Sequence, residues 1–201
     1  MAEQENSKDL ISVLWSGADI LRSKMDANEY KDYLLGIVFY KYLSDSFLIK
    51  VYDLIYDEKP ETLKIALNAY IDALKDESAE ELKDEIKSSC HYVIEPELTY
   101  TNFAEAARNN SFNREQLQKA FNNIEQSDPL FADLFTDIDL YSNRLGTGDQ
   151  KQSDTIASLL KEIDKADLLN TDTDVLGNAY EYLIGQFASE TGKKLVCRWL
   201  L

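Results

Sequence analysis

Between Tyr30 and Ile55, the apolar residues Tyr30, Tyr33, Leu34, Ile37, Val38, Tyr40, Phe47, Leu48, Val51, Leu54 and Ile55 recur at helical spacing. No other feature constrains the fold so strongly. A stripe this long and this aromatic has to be buried, and only further amphipathic elements of the same chain can bury it. Ser44-Asp45-Ser46 interrupts the stripe, and the spacing predicts that one long helix breaks into two there.

The elements needed to cover that stripe are present. Leu10, Val13, Leu14, Ala18 and Leu21 share one face of a helix expected over about Lys8 to Met25, with Ser7 as its cap. Leu63, Ala66, Leu67, Tyr70, Ile71 and Leu74 follow the i, i+3, i+4, i+7 pattern after Pro60. Ser78 and Glu81 have the spacing of a capping box for a short helix through Ile86. Phe103, Ala106 and Ala107 continue the pattern after Thr101, and Leu117, Ala120, Phe121 and Ile124 continue it after Asn113 and Gln116. Asp128-Pro129 opens a candidate turn bearing Leu130, Phe131, Leu134 and Phe135. Ile156, Leu159, Leu160 and Ile163 give the next helix, and Leu176, Ala179, Tyr180, Leu183, Ile184 and Phe187 the last. Tyr33, Leu34, Ile37, Val38, Leu67, Ile71, Tyr180, Leu183 and Ile184 sit at the stripe centres and are the expected core.

Residues 90–100 change character: Tyr92 and Ile94 alternate ahead of Pro96, which reads as a packed connector or a short strand over 91–95. Tyr141 to Gln152, with Arg144 and Gly146-Thr147-Gly148, reads as an exposed polar loop. Seven glycines and three prolines in 201 residues are too few for the turns of a many-stranded sandwich or barrel. The expected fold class is therefore all-α, with eight to ten helices.

Thirty-seven acidic residues against 21 basic ones leave a formal net charge of -16, so the chain as a whole repels phosphate backbones. A nucleic-acid contact would have to use a local basic patch. Arg108, Arg114, Lys119, Arg144 and Lys151 are the candidates for it, weighed against ordinary solvated-face charge. The polar, acidic start and the lack of an apolar run of about 18 residues point to no signal peptide and no membrane span, hence to the cytoplasm. Cys90 and Cys197 lie far apart and read as reduced thiols.

Enzymatic chemistry is hard to place on this chain. His91 is the lone histidine, which excludes a site built from several imidazoles. There is no Gly-x-Ser-x-Gly elbow, and Gly146-x-Gly148 lacks the preceding strand and the third glycine of a dinucleotide loop. Carboxylate pairs such as Asp137/Asp139 and Asp172/Asp174 are expected by chance in so acidic a chain. No catalytic, cofactor-binding or metal-binding residue is expected.

Two stretches are distinctive. One runs from Leu14-Trp15 and Leu21-Arg22 through Met25-Asp26-Ala27 to YLLGIVFYKYL at Tyr33–Leu43, which includes Tyr33, Leu34, Phe39 and Tyr40. The other is DVLGNAYEYLIGQFA from Asp174, with Leu176, Gly177, Tyr180, Glu181, Tyr182, Leu183, Ile184 and Phe187. With the connector Tyr92-Val93-Ile94-x-Pro96 and the loop from Asp137-Ile138-Asp139 to Gly146, they resemble the N-terminal helical domain of the methylation subunit of type I restriction-modification systems. Those subunits are adenine-N6 DNA methyltransferases that use S-adenosylmethionine.

The resemblance covers about residues 10 to 194, so residues 1–194 are expected to form one accessory domain. It implies a role in packing on a catalytic domain and in helping a complex with specificity and restriction subunits close around DNA. In the family, a Gly-Lys-Lys run leads into a Gly-Glu-Phe-Tyr-Thr-Pro-like segment that begins the catalytic domain, whereas here Gly192-Lys193-Lys194 is followed by LVCRWLL. The donor loop and the Asn-Pro-Pro-Tyr or Asn-Pro-Pro-Phe motif are absent, so the chain by itself is expected to be inert, with no cofactor of its own. The apolar tail 195–201 would dock on a groove or be a non-native end, and the second is the expectation. The competing reading is an acidic helical inhibitor that mimics DNA. Against it, lysines and arginines interleave with the acids, as in Lys83-Asp84-Glu85.

Overall fold

The computed structural model describes residues 2–166, which are wholly helical apart from connectors and turns. The α helices are α1 (Ala2–Arg22), α2 (Ala27–Tyr56), α3 (Leu63–Ala73), α4 (Ala79–Cys90), α5 (Tyr100–Arg108), α6 (Arg114–Ser127) and α7 (Asp149–Ile163). Two 3₁₀ turns, Pro96–Leu98 and Pro129–Phe131, complete the described part. The eight to ten helices expected from the sequence compare with seven α helices among the described residues. The segment expected from Leu176 to Phe187, with its family-signature residues, and the tail 195–201 both lie outside them.

Helix α2 forms the axis of the fold, with α1, α3 and α5 packed along it and α4 and α7 touching it. Tyr30, Tyr33, Leu34, Ile37, Tyr40, Phe47, Leu48 and Val51 are all buried. Ile71 is only half-buried, because it sits beside the α3 stripe centre, which Ala66, Leu67 and Tyr70 occupy. Tyr40 meets Phe121 and Phe135 edge-on, while those two rings stack with centroids 4.2 Å apart. Aromatic pairs in these arrangements add to the area they bury.

The expected break at Ser44-Asp45-Ser46 does not occur, because Ser44 finds a tertiary partner and Asp45 an ion pair within the helix. The Ser44 hydroxyl accepts a hydrogen bond from the Tyr100 backbone N–H at 2.8 Å. That N–H is one of the donors left without an intrahelical partner at the start of α5. Asp45 pairs with Lys41 one turn earlier on α2. Ser44 at mid-helix therefore helps join α2 to α5.

Other starts and stops also moved. α1 begins at Ala2 and runs through Ser7. Ser78 precedes α4 without a side-chain cap bond, so the expected capping box is not made. The α5 cap is Thr99, whose hydroxyl accepts from the Asn102 N–H at 3.3 Å. Asn113 caps α6 as its spacing implied, accepting from Glu115 N–H. Asp128-Pro129 yields only the 3₁₀ turn, which leaves Leu130 73% exposed while Phe135 is buried further on.

Residues 91–95 form a packed connector and not a strand. His91 ends α4 in the left-handed region at φ 68°, Tyr92 and Ile94 are buried, and the Tyr92 hydroxyl donates to the Leu43 carbonyl at 3.0 Å. Gly36 lets the segment after α6 approach α2: a Cβ there would lie 2.0 Å from Ile138 Cδ1.

Candidate functional site

The loop expected to be exposed is anchored instead. Leu145 is buried within it, as is Leu140 just before it, and α7 starts at Asp149, ahead of the expected boundary at Gln152. The reason is side-chain hydrogen bonding from α7. The Thr155 hydroxyl donates to the Leu145 carbonyl at 2.7 Å, and the Gln152 amide donates to the carbonyls of Tyr141 at 3.1 Å and Ser142 at 3.3 Å. Carbonyls of an irregular loop need such donors when they leave water.

Arg114 completes this anchor. Its guanidinium donates to the Gln152 side-chain oxygen, pairs with Asp149 at 2.5 Å and lies 4.5 Å from the Tyr141 ring centroid. Its side chain is 8% exposed, whereas that of Asp149 is 93% exposed. A planar five-donor fork suits this simultaneous bonding and stacking. Of the five cations singled out as phosphate contacts, Arg114 is thus committed to the interior.

The other four are spread over α5, α6, the loop before α7 and α7 itself. Arg108, at the end of α5, pairs with Asp164 at 2.5 Å, just beyond the C-terminal end of α7. Arg114 holds the opposite end of that 15-residue helix, about 22 Å away. Arg144 pairs with Glu29 at the start of α2. Lys119 on α6 and Lys151 on α7 are exposed and make no ion pair among the described residues.

Arg144 borders a cavity of about 210 Å³ lined by Met25, Glu29, Asp32, Tyr33, Asp137, Asp139 and Ser142. The Tyr33 hydroxyl donates to the Asp139 carbonyl at 2.6 Å, fixing the loop against α2. Burial, and then the negative charge of Asp139, push the Tyr33 phenol up to about 12. Burial raises Asp32 above the ordinary carboxylate range; Lys31 opposes that shift and Asp137 adds to it. Four carboxylates against one guanidinium favour a cation here and oppose a phosphate.

Among the described residues, no group of His, Cys, Asp and Glu has the arrangement to hold a metal ion. Cys90 is a half-buried free thiol whose ionisation burial pushes up, which makes it a poor nucleophile. No helix among the described residues is long and apolar enough to cross a membrane.

The long central helix, the aromatic core and the polar anchors between α7 and its preceding loop define an all-helical structural module. The chain belongs to the HsdM N-terminal domain family, whose model matches residues 10–163. It is 28% identical over 206 residues to the type I restriction enzyme MpnII methylase subunit of Mycoplasma pneumoniae, a match covering 95% of this chain and 36% of that protein. Its fold is similar to the crystal structure of the type I restriction-modification system methyltransferase subunit from Streptococcus thermophilus, with a TM-score of 0.86 and 49% identity. That likeness covers 94% of this chain and 40% of the other. The chain therefore spans well under half the length of the methylase subunits it matches.

The family implies S-adenosylmethionine for a whole subunit, and the cavity here does not suit that donor. At about 210 Å³ it is smaller than the roughly 300–1,000 Å³ of sites that enclose such ligands. Sequence reasoning missed Lys41, Asp45, Gln152 and Thr155 as organising polar residues. The Lys41–Asp45 spacing, two opposite charges one turn apart inside an apolar stripe, is the sign that was available.

Proposed function

We propose that this chain is the accessory domain of a type I adenine-N6 DNA methyltransferase subunit. In that role it packs on an S-adenosylmethionine-dependent catalytic domain and helps a cytoplasmic complex with specificity and restriction subunits close around DNA. The observation that carries the reading is the family match over residues 10–163, together with a chain-wide fold likeness that covers only 40% of the related subunit. Residues 1–194 act as one unit in this reading. Methyl transfer to adenine needs a donor pocket and a second pocket for an extruded base. A cavity of about 210 Å³ between the start of α2 and the loop before α7 fits neither task, so the chain alone is inert.

The exposed cations Lys119 and Lys151, with Arg108 and Arg144 once freed from their carboxylates, are the phosphate contacts of this reading. Arg114 contributes by holding the loop that carries Arg144.

The test is complementation. A catalytic part of a related subunit, its specificity subunit and target DNA are assayed for methyl transfer with and without this chain. The expected result is no transfer by the chain alone and restored transfer on mixing. Donor binding by the isolated chain at micromolar strength, about -8 kcal/mol, would overturn the reading. So would salt-sensitive inhibition of the assembled enzyme, the behaviour of a DNA mimic.

A further inference from the structure

Helix α2 runs out into a mainly acidic stretch. Its last turn holds no basic residue, and Asp57, Glu58 and Glu61 follow it in the chain. A helix C-terminus carries roughly half a negative charge, which neighbouring cations stabilise. Here carboxylates gather at that end instead, offset in part by Lys59. The other nearby lysines are already paired: Lys50 with Asp53 of the last turn at 2.9 Å, and Lys64 with Glu105 across to α5.

An aromatic face occupies the same turns. Tyr52 and Tyr56 stand one turn apart with ring centroids 4.7 Å from each other and planes tilted by 46°. Tyr56 is 53% exposed, making it one of the largest apolar surfaces shown to solvent among the described residues. The charges of Glu58 and Glu61 reach Tyr52, adding to the burial that raises its phenol. Electron-rich ring faces and a concentration of negative charge thus coincide at one helix end.

We propose that the Tyr52–Tyr56 face, with Glu58 and Glu61, is a docking surface for a basic segment of a partner protein, which lays an arginine across the rings with its guanidinium toward the helix end. Arginine fits better than lysine because its planar, weakly hydrated head stacks on aromatic faces while its fork reaches carboxylates. Complementary charge would also speed the encounter. DNA is the wrong occupant for this face, since phosphates would meet carboxylates and helix carbonyls with Lys59 alone to offset them. The proposal goes beyond the accessory-domain reading and does not depend on it.

The test titrates the full chain, labelled with ¹⁵N, with a synthetic peptide of alternating arginine and alanine, and with its lysine counterpart. Backbone shifts should centre on residues 52–61, with the arginine peptide binding about twofold or more tighter. Tyr56→Leu keeps the bulk but removes the ring, and should weaken binding about three- to fivefold, whereas Tyr56→Phe should hold it. Neutralising Glu58 and Glu61 as glutamines should weaken binding by a similar factor, and Glu77→Gln on another exposed stretch should leave it unchanged. Shifts spread evenly over the acidic surface would overturn the proposal, as would unaltered affinity of Tyr56→Leu with its spectrum otherwise intact. Either would mean that net charge alone attracts the peptide.

Discussion

Lys41 and Asp45 form an ion pair inside the fold: Lys41 Nζ lies 2.6 Å from Asp45 Oδ2, and the two side chains are 3% and 1% exposed. The ammonium also sits 5.0 Å from the Tyr100 ring centroid, and its distance to Asp164 is 4.0 Å. Asp164 in turn holds Arg108. One turn of α2 therefore carries the charge balance of a junction where α5 and the end of α7 meet.

Removing one member of this pair should cost far more than removing both. Lys41→Met leaves a buried carboxylate uncompensated and is expected to lower stability by about 3–5 kcal/mol. Lys41→Met with Asp45→Leu should recover most of that loss, since apolar replacements of a buried pair are often close to neutral. Urea melts of both single variants and the double variant check this. Additive losses would show that the pair is not coupled.

Two buried tyrosines make opposite predictions. The Tyr40 hydroxyl donates to the Leu98 carbonyl at 2.5 Å, tying the middle of α2 to the 3₁₀ turn before α5. The Tyr70 hydroxyl is buried without a hydrogen-bond partner among the described residues. Tyr40→Phe strands a carbonyl and should cost about 1–3 kcal/mol, whereas Tyr70→Phe should be neutral or stabilising. Thermal melts of the two variants, read side by side, decide the point.

Asp32 should make the fold weaker at neutral pH than in mild acid. Its folded carboxyl is raised, first by burial, with Lys31 opposing and Asp137 reinforcing the shift. The folded state then holds the proton more tightly than the unfolded chain. The resulting stability is present below the ordinary carboxyl pKa of about 4 and is lost as pH rises through the folded value. Asp32→Asn should therefore raise the melting temperature at pH 7, and the gain should shrink toward pH 4 and below. A gain that stays constant with pH would mean that the effect is not protonation.

The helices, their order and their buried faces were legible in the sequence because each is a periodic property of one local stretch. Tyr33, Leu34, Ile37, Tyr40 and Phe47 are core for the reason their spacing implied, as are Leu117, Phe121, Leu159 and Leu160. The family, too, was legible from local runs such as YLLGIVFYKYL. What only the tertiary structure decided concerns polar groups whose partners lie far along the chain. Ser44 looks like part of a helix break until the Tyr100 N–H, 56 residues on, meets its hydroxyl. The loop before α7 looks solvated until Gln152 and Thr155 reach its carbonyls. Arg114 looks like a phosphate contact until Asp149, Gln152 and Tyr141 surround it. A buried polar side chain takes its role from the partner that compensates its lost hydration, and periodicity carries no record of which distant residue that partner will be.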